Sequence, residues 1–109
     1  MRVRIRPMVV IRKSYYMYIL TNQRNGTLYT GMTGEMKRRI WQHQNGYYSG
    51  FSKRYGLRRL VYYEQFDTAE AAIRREKEIK AGSRAKKIAL IEGMNPKWED
   101  LSHRFLRFR

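Results

Sequence analysis

The sequence predicts an α+β fold, a small three-stranded antiparallel sheet flanked by helices, with its elements in the order ββαβαα. Three observations lead there. Two runs rich in aromatic and β-branched residues, 15–21 and 27–32, flank Gln23-Arg24-Asn25-Gly26, and Asn-Gly between β-prone runs favours a tight hairpin. A third such run, 58–66, contains Leu60-Val61-Tyr62-Tyr63 and follows one helical segment. Two further segments beyond residue 66 carry helical spacing and their own caps. One sheet covered by helices is the layered arrangement that buries such faces. A chain of 109 residues suffices for one domain rather than two.

The helices follow in order. Over 34–44, Met36, Ile40 and His43 recur at helical spacing. Over 67–81, Asp67 or Thr68 serves as cap, Glu70 is placed to answer Asp67, and Gly82 ends the helix. A third helix starts at a Ser83 cap, carries Ala85, Ile88, Ala89 and Ile91 as its apolar stripe, and stops at Gly93 and Asn95-Pro96. A short turn over 98–101 is expected to pack back onto the core.

Charge decides the class of partner. The chain holds 24 Lys/Arg against 9 Asp/Glu, a formal net charge of +15. Five of the basic residues fall in 1–13 and three in 103–109, which leaves 16 basic and 9 acidic residues between 14 and 102. The central part is therefore basic on its own account. The expected layout is a flexible basic arm over 1–13, a folded domain over 14–102 and a basic tail over 103–109. Nucleic acid, held by charge and counterion release, is the natural polyanion; a basic surface that serves a ribosome or solubility alone is the rival. No apolar run approaches the ~18 residues of a membrane span, and no helix pairs a basic face with exposed apolar residues. A membrane is thus not an expected partner. The N-terminus lacks the apolar stretch of a signal peptide, so a cytoplasmic protein is expected. The absence of cysteine excludes disulfides, thiolate catalysis and cysteine-based zinc sites. No obligatory protein partner is evident.

Three sets of residues are candidates for chemistry. A symmetric four-residue connection over 23–26 sets Tyr18 opposite Gly31 and Leu20 opposite Tyr29, so Tyr16, Tyr18, Tyr29 and Gly31 share one face. A glycine there leaves room for a substrate backbone, although this face alone reads more simply as an aromatic core with a glycine bulge. Arg39 and His43, four residues apart, lie on one edge of the first helix beside the Met36 and Ile40 stripe. A guanidinium there suits bidentate binding of a phosphate. His43 suits donation to a phosphate oxygen or protonation of a leaving group. The alternative is a solvated edge that continues the Lys37-Arg38-Arg39 charge run. Glu76, finally, falls four after Ala72 and three before Ile79, near the centre of a buried helix face. A carboxylate so placed needs a cation or hydrogen bonds. Either an internal arginine pairs with it, or it ligates a hard metal such as Mg²⁺, which takes one or two carboxylates with waters and phosphate oxygens.

Taken together, these residues resemble the GIY-YIG endonuclease family, especially its small stand-alone bacterial branch. The two signature halves correspond to Tyr16-Met17-Tyr18 and Tyr29-Thr30-Gly31, the family's helix arginine and histidine to Arg39 and His43, and its metal-binding glutamate to Glu76. Thr27-Leu-Tyr-Thr-Gly31, Lys53-Arg-Tyr-Gly-Leu57, Arg75-Glu-Lys77 and Ser83-Arg-Ala-Lys-Lys-Ile88 are similar to that branch in particular. Tyr16 stands where the signature has its first glycine, and Met32 stands where some relatives carry a lysine. A downstream asparagine used by some relatives corresponds loosely to Asn95.

The resemblance implies a metal-dependent endonuclease that hydrolyses DNA phosphodiesters with one Mg²⁺ or Mn²⁺ ion, in DNA repair or processing. Tyr18, Tyr29, Arg39, His43 and Glu76 are its implied catalytic residues, with Glu76 as the metal ligand. Arg39 stabilises transition-state charge, and Tyr18 or Tyr29 orients the attacking water. Free tyrosine titrates near ~10, so a phenol that also removes a proton needs positive charge beside it. Gly31, Lys53, Arg54, Arg58 and Arg59 are candidates for contact with the nucleic-acid backbone, and Tyr47, Tyr48 or Phe51 for stacking on unpaired bases. The competing expectation is a non-catalytic module on the same fold that binds DNA or RNA.

Overall fold

The structure, a computed structural model, describes residues 13–47 and 50–106, with the backbone alone at Phe51 and Ser52. The expected N-terminal arm, apart from Lys13, lies outside the described residues, as do Tyr48 and 107–109. Strands β1 (Tyr15–Thr21), β2 (Leu28–Thr33) and β3 (Arg59–Phe66) form one sheet in the order β2-β1-β3. Both pairings are antiparallel. Helices α1 (Met36–Gln44) and α2 (Phe51–Arg54) fall between β2 and β3, and α3 (Ala69–Ala81) and α4 (Arg84–Met94) follow β3. The fold class is as expected, with one unforeseen addition: α2 spans a single turn, too short to leave a periodic signal.

Asn25 turns the hairpin with φ 59°, a left-handed backbone that asparagine tolerates. Thr21 Oγ1 donates to the Gln23 carbonyl (2.8 Å) and Asn22 Oδ1 accepts from the Thr27 amide (3.1 Å). This closure gives the expected register: Tyr18 faces Gly31 and Leu20 faces Tyr29. Alternation then divides the sheet into two faces. Tyr18 and Leu20 pack with Met36 and Ile40 of α1 and with Leu57, Leu60 and Leu101. Met17 and Ile19, on the other face, pack with Ile79 of α3, Ile91 of α4 and Trp98. A bulge opposite Ile19 and Leu20 lets neighbouring Val61 and Tyr62 join this second core. The sheet is therefore sandwiched, with α1 on one side and α3 and α4 on the other.

The caps locate the helix starts. Thr68 rather than Asp67 caps α3, accepting from the Ala71 amide (3.2 Å), and Ser83 caps α4, accepting from Lys86 (3.1 Å). Gly82 ends α3 with φ −76°, so its left-handed freedom is unused. The break comes instead from the immediate Ser83 cap and from Lys87 Nζ, which donates to the carbonyls of Lys80 (3.2 Å) and Gly82 (2.9 Å). On α4 only part of the expected stripe is inward: Ile91 is buried and Ile88 half-buried, whereas Ala85 and Ala89 are exposed and Leu90 packs in their place.

The C-terminal segment is stapled down. Asn95, 4% exposed, donates to the carbonyls of Val61 (3.2 Å) and Glu99 (2.8 Å) and accepts from the Glu99 amide (3.0 Å). That turn drives Trp98, fully buried, into the core with its indole donating to Glu92 (2.9 Å). A 3-10 turn, Leu101–Arg104, follows slightly later than the expected 98–101 and is capped by Asp100. Phe105 then sets its ring edge-on to Tyr16 (5.2 Å) and Tyr63 (4.9 Å). The basic C-terminal segment is anchored by this contact at its start. Among the described residues no helix is long and apolar enough to cross a membrane.

Asn95→Ala would leave buried carbonyls without donors. Such a change is expected to cost about 1–3 kcal/mol, read in urea as a lower midpoint at an unchanged slope.

Candidate functional site

The hairpin register and α1 bring four of the five candidate catalytic side chains together. Tyr18 and Tyr29 are diagonal neighbours on one face, their rings 6.3 Å apart. Met36 and Ile40 fix α1 on that face, and the helical repeat brings His43 round beside them. Its ring lies 6.1 Å from that of Tyr18 and 5.9 Å from that of Tyr29. Arg39, one turn earlier, donates from Nη1 to the Tyr18 hydroxyl (3.4 Å). Tyr18 is 1% exposed and His43 4%, while Tyr29 and Arg39 are half-buried. The two latter groups offer the cluster's accessible surface.

Of the two readings of Gly31 the structure supports the aromatic core, without a bulge in the β1–β2 pairing. A Cβ at Gly31 would stand 2.6 Å from Tyr18 Oη, 2.7 Å from its Cζ and 3.0 Å from Tyr29 Cε2. The space that glycine leaves is filled by the Tyr18 ring and is not open to a substrate. His43 also departs from expectation. Burial, aided by the Arg39 guanidinium, lowers its pKa from 6.5 to about 4. It is neutral at pH 7 and holds no proton in reserve for a leaving group; a neutral imidazole orients neighbours by hydrogen bonding.

Glu76 comes from the opposite layer. It lies on α3, whose Ile79 packs against Met17 and Ile19. Its side chain is 14% exposed, and its carboxylate meets Lys80 Nζ at 2.7 Å. Its cation is thus a lysine of its own helix and not an internal arginine; the neighbouring Arg75 pairs with Glu64 through Nε (2.9 Å) and Nη2 (3.1 Å) and with Glu78 through Nη1 (3.0 Å). The Tyr62 hydroxyl also donates to Glu64. Burial raises the Glu64 pKa, but Arg75 and Tyr62 outweigh it and hold the carboxyl below its usual value. Lys80 lines a groove with Thr27, Leu28, Tyr29 and Thr30, so Glu76 stands on the β2 side of its layer. The β2 strand is a sheet edge, along which groups from both layers face common solvent.

Among the described residues no three His, Cys, Asp or Glu side chains form a metal-holding group. Glu76 can supply one hard oxygen ligand. That fits an Mg²⁺-like ion completed by water and substrate phosphate oxygens, and no all-protein cage.

The other candidates are dispersed. Lys53, Arg54 and Arg58 are exposed at and just after α2, with Arg54 over the Tyr55 ring at 5.7 Å. Arg59 is committed to the C-terminal staple, donating to the Trp98 carbonyl at 3.1 Å. Asn95 spends its amide on backbone groups and takes no part in the cluster. Tyr47 stacks on Trp41 with ring centroids 5.1 Å apart and an angle of 19°. Trp41, half exposed, has no counterpart in the sequence reading. Its place opposite the Met36 and Ile40 stripe was available there as a signal.

Residues 14–89 match the family model described as the GIY-YIG catalytic domain. The chain belongs to the GIY-YIG family. It is 43% identical over 77 residues to a UPF0213 protein of Staphylococcus saprophyticus, covering 71% of this chain and 93% of that one. It is 40% identical over 77 residues to a UPF0213 protein of Natronomonas pharaonis, covering 71% and 89%. The solution NMR structure of a UPF0213 protein from Bacillus halodurans superposes with a TM-score of 0.51 at 34% identity, covering 83% of this chain and 95% of that one. The chain thus carries a GIY-YIG domain, of nuclease type, similar to UPF0213 proteins over most of their length. Tyr16, at the first glycine position of the signature, is accommodated by its contacts with Tyr63 and Phe105. Met32 pairs with Met17 and so faces the α3 side of the sheet, away from the tyrosines.

Two outcomes follow. Gly31→Ala should displace the Tyr18 ring and cost about 1–3 kcal/mol, visible as a shifted Tyr18 ring resonance and a lower urea midpoint. For His43 the folded pKa lies below the unfolded one, so its stabilisation is complete above 6.5 and is lost as pH falls toward about 4. The loss should approach ~3 kcal/mol, and urea unfolding between pH 7 and 4 should show a shallower decline in His43→Gln.

Proposed function

We propose that this protein is a metal-dependent endonuclease that hydrolyses phosphodiester bonds of DNA, in a repair or processing role. The observation that carries the reading is the convergence of Tyr18, Tyr29, Arg39 and His43, four groups from two strands and a helix. An ordinary aromatic core would not place a half-buried guanidinium on a phenol. The +15 charge of the chain supplies the attraction for a polyanion.

In this reading Arg39 faces the scissile phosphate and stabilises the added negative charge as water attacks phosphorus and the leaving oxygen departs. Exposure favours Tyr29 as the phenol that meets the attacking water. Tyr18 sets the angle of the guanidinium by accepting its hydrogen bond. Neutral His43 packs against both rings and helps to fix their orientation. Glu76 would hold a divalent ion, Mg²⁺ or Mn²⁺, which supplies Lewis-acid polarisation of the phosphate and neutralises the leaving oxygen. Lys53, Arg54 and Arg58 extend the basic track along the α1 side of the molecule.

One observation favours a second reading. Glu76 sits in the opposite layer with Lys80 as its cation, which suits a module that binds nucleic acid without cutting it. Incubation with labelled single-stranded, duplex and branched DNA, in Mg²⁺, Mn²⁺ or EDTA, separates the two. The endonuclease should yield products only with metal. Glu76→Gln should abolish them while retaining DNA binding, and Arg39→Leu should slow cleavage by ~10²–10³-fold. Binding without metal-dependent products, across all three substrates, would leave the module reading standing.

A further inference from the structure

The cations of α3 and α4 point to a site that the proposed chemistry leaves unused. Lys80, Arg84 and Lys87 line one groove of about 410 Å³ with Thr27, Leu28, Tyr29 and Thr30. Among the described residues, neither Arg84 nor Lys87 forms an ion pair with an aspartate or glutamate. Arg84 Nη2 donates to the carbonyls of Asn25 (2.8 Å) and Gly26 (2.7 Å) at the hairpin turn. Lys87 Nζ donates to those of Lys80 (3.2 Å) and Gly82 (2.9 Å) where α3 ends. Carbonyl oxygens orient a cation but do not cancel its charge. Lys80 alone shares its charge with an acid, Glu76 at 2.7 Å. Two full charges are thus held in place by backbone, with the hydroxyl-bearing Thr27 and Thr30 on the facing wall.

We infer that this groove is a second phosphate-binding subsite, which takes a backbone phosphate of the nucleic acid flanking the one at Arg39. Its chemistry suits a phosphodiester: fixed cations and two threonines line the opening. Its position suits one too. The groove touches Tyr29 at one wall and Lys80, the partner of Glu76, at the other, so it adjoins the candidate catalytic groups along the open β2 edge. It lies on the α3 side, whereas Arg39 of α1 lies on the other. A strand crossing the β2 edge would therefore meet a cation from each layer. The subsite extends the nucleic-acid reading of the preceding section, but it does not need the chemistry to occur.

The test uses the full chain in EDTA and measures affinity for a short single-stranded and a short duplex DNA across a range of salt. Arg84→Gln/Lys87→Gln removes both charges yet keeps an amide donor for each carbonyl. Its slope of log affinity against log salt should be shallower than wild type by about 1.4 on single strands and about 1.8 on duplex, two phosphate contacts' worth. Arg74→Gln/Lys97→Gln removes the same charge from exposed positions outside the groove and should leave the slope nearly unchanged. Equal changes in the two variants would overturn the subsite, since the cations would then act only through net charge. Urea unfolding of both variants shows whether the hairpin has loosened; if it has, Arg84→Lys, which keeps the charge, must restore the wild-type slope, or the subsite is rejected. The two readings fail separately. Intact slope differences without metal-dependent cleavage would remove the nuclease and keep the groove. Cleavage together with a wild-type slope in the groove variant would do the reverse.

Discussion

The site rests on a steric fit between one ring and one backbone. Tyr18 lies directly across the hairpin from Gly31, and its phenol occupies the volume that any Cβ at that position would claim. With the ring held flat against β2, its hydroxyl is delivered to the Arg39 guanidinium. The neighbouring phenol, Tyr29, is then confined to the diagonal position where His43 can touch both rings. Each of these contacts presupposes the register of the hairpin. Sliding β2 by one residue would turn Tyr29 and Gly31 to the α3 side and dismantle the arrangement. The turn at Asn25 and the bonds of Thr21 and Asn22 therefore govern functional geometry from the far end of the sheet.

A central strand buried on both faces constrains what each layer can contribute. The α1 layer holds aromatic rings and a guanidinium around a neutral imidazole, a set that orients groups without supplying an anion. The α3 layer holds Glu64, Glu76 and Glu78 with their cations Arg75 and Lys80. Keeping Glu76 out of the aromatic cluster prevents Arg39 from collapsing into an ion pair with it, a contact that would leave the guanidinium unavailable to a phosphate. Instead Glu76 rests on Lys80, one turn away on the same helix, where partial exposure keeps the pair weak and exchangeable.

Much of this was legible in the sequence. The Asn-Gly turn fixed the hairpin, hence the shared face of Tyr16, Tyr18, Tyr29 and Gly31, and the Met36 and Ile40 stripe fixed where Arg39 and His43 sit. Thr68 and Ser83 marked two helix starts through their hydroxyls. What escaped was long-range. Helical spacing showed that Glu76 lies on an inward face, yet could not say which side of the sheet that face covers. It likewise gave Arg75 no destination, because Glu64 belongs to a strand 11 residues earlier. At Gly31 the sequence leaves open a vacancy or an aromatic core, since it shows a missing side chain but not the neighbour that fills the gap. His43 was assigned its solution pKa because burial is a tertiary property.

Carbonyl groups, alongside acids, hold this protein's cations in place. Arg59 binds the Trp98 carbonyl, Arg84 the hairpin turn and Lys87 the end of α3. A basic domain could neutralise itself with surface ion pairs, but each pair would cancel part of the field that draws a polyanion. Hydrogen bonds to backbone oxygen order the side chains and leave the field intact. They also cover carbonyls that a helix end or a tight turn exposes. The same residues thus complete the fold's termini and turn and remain electrostatically unspent, so stabilising this domain does not compete with attracting its substrate. The Glu64–Arg75 pair lies against the α3 core on the β3 side of the sheet, whereas the Glu76–Lys80 pair stands at the β2 edge, where a nucleic acid would have to pass.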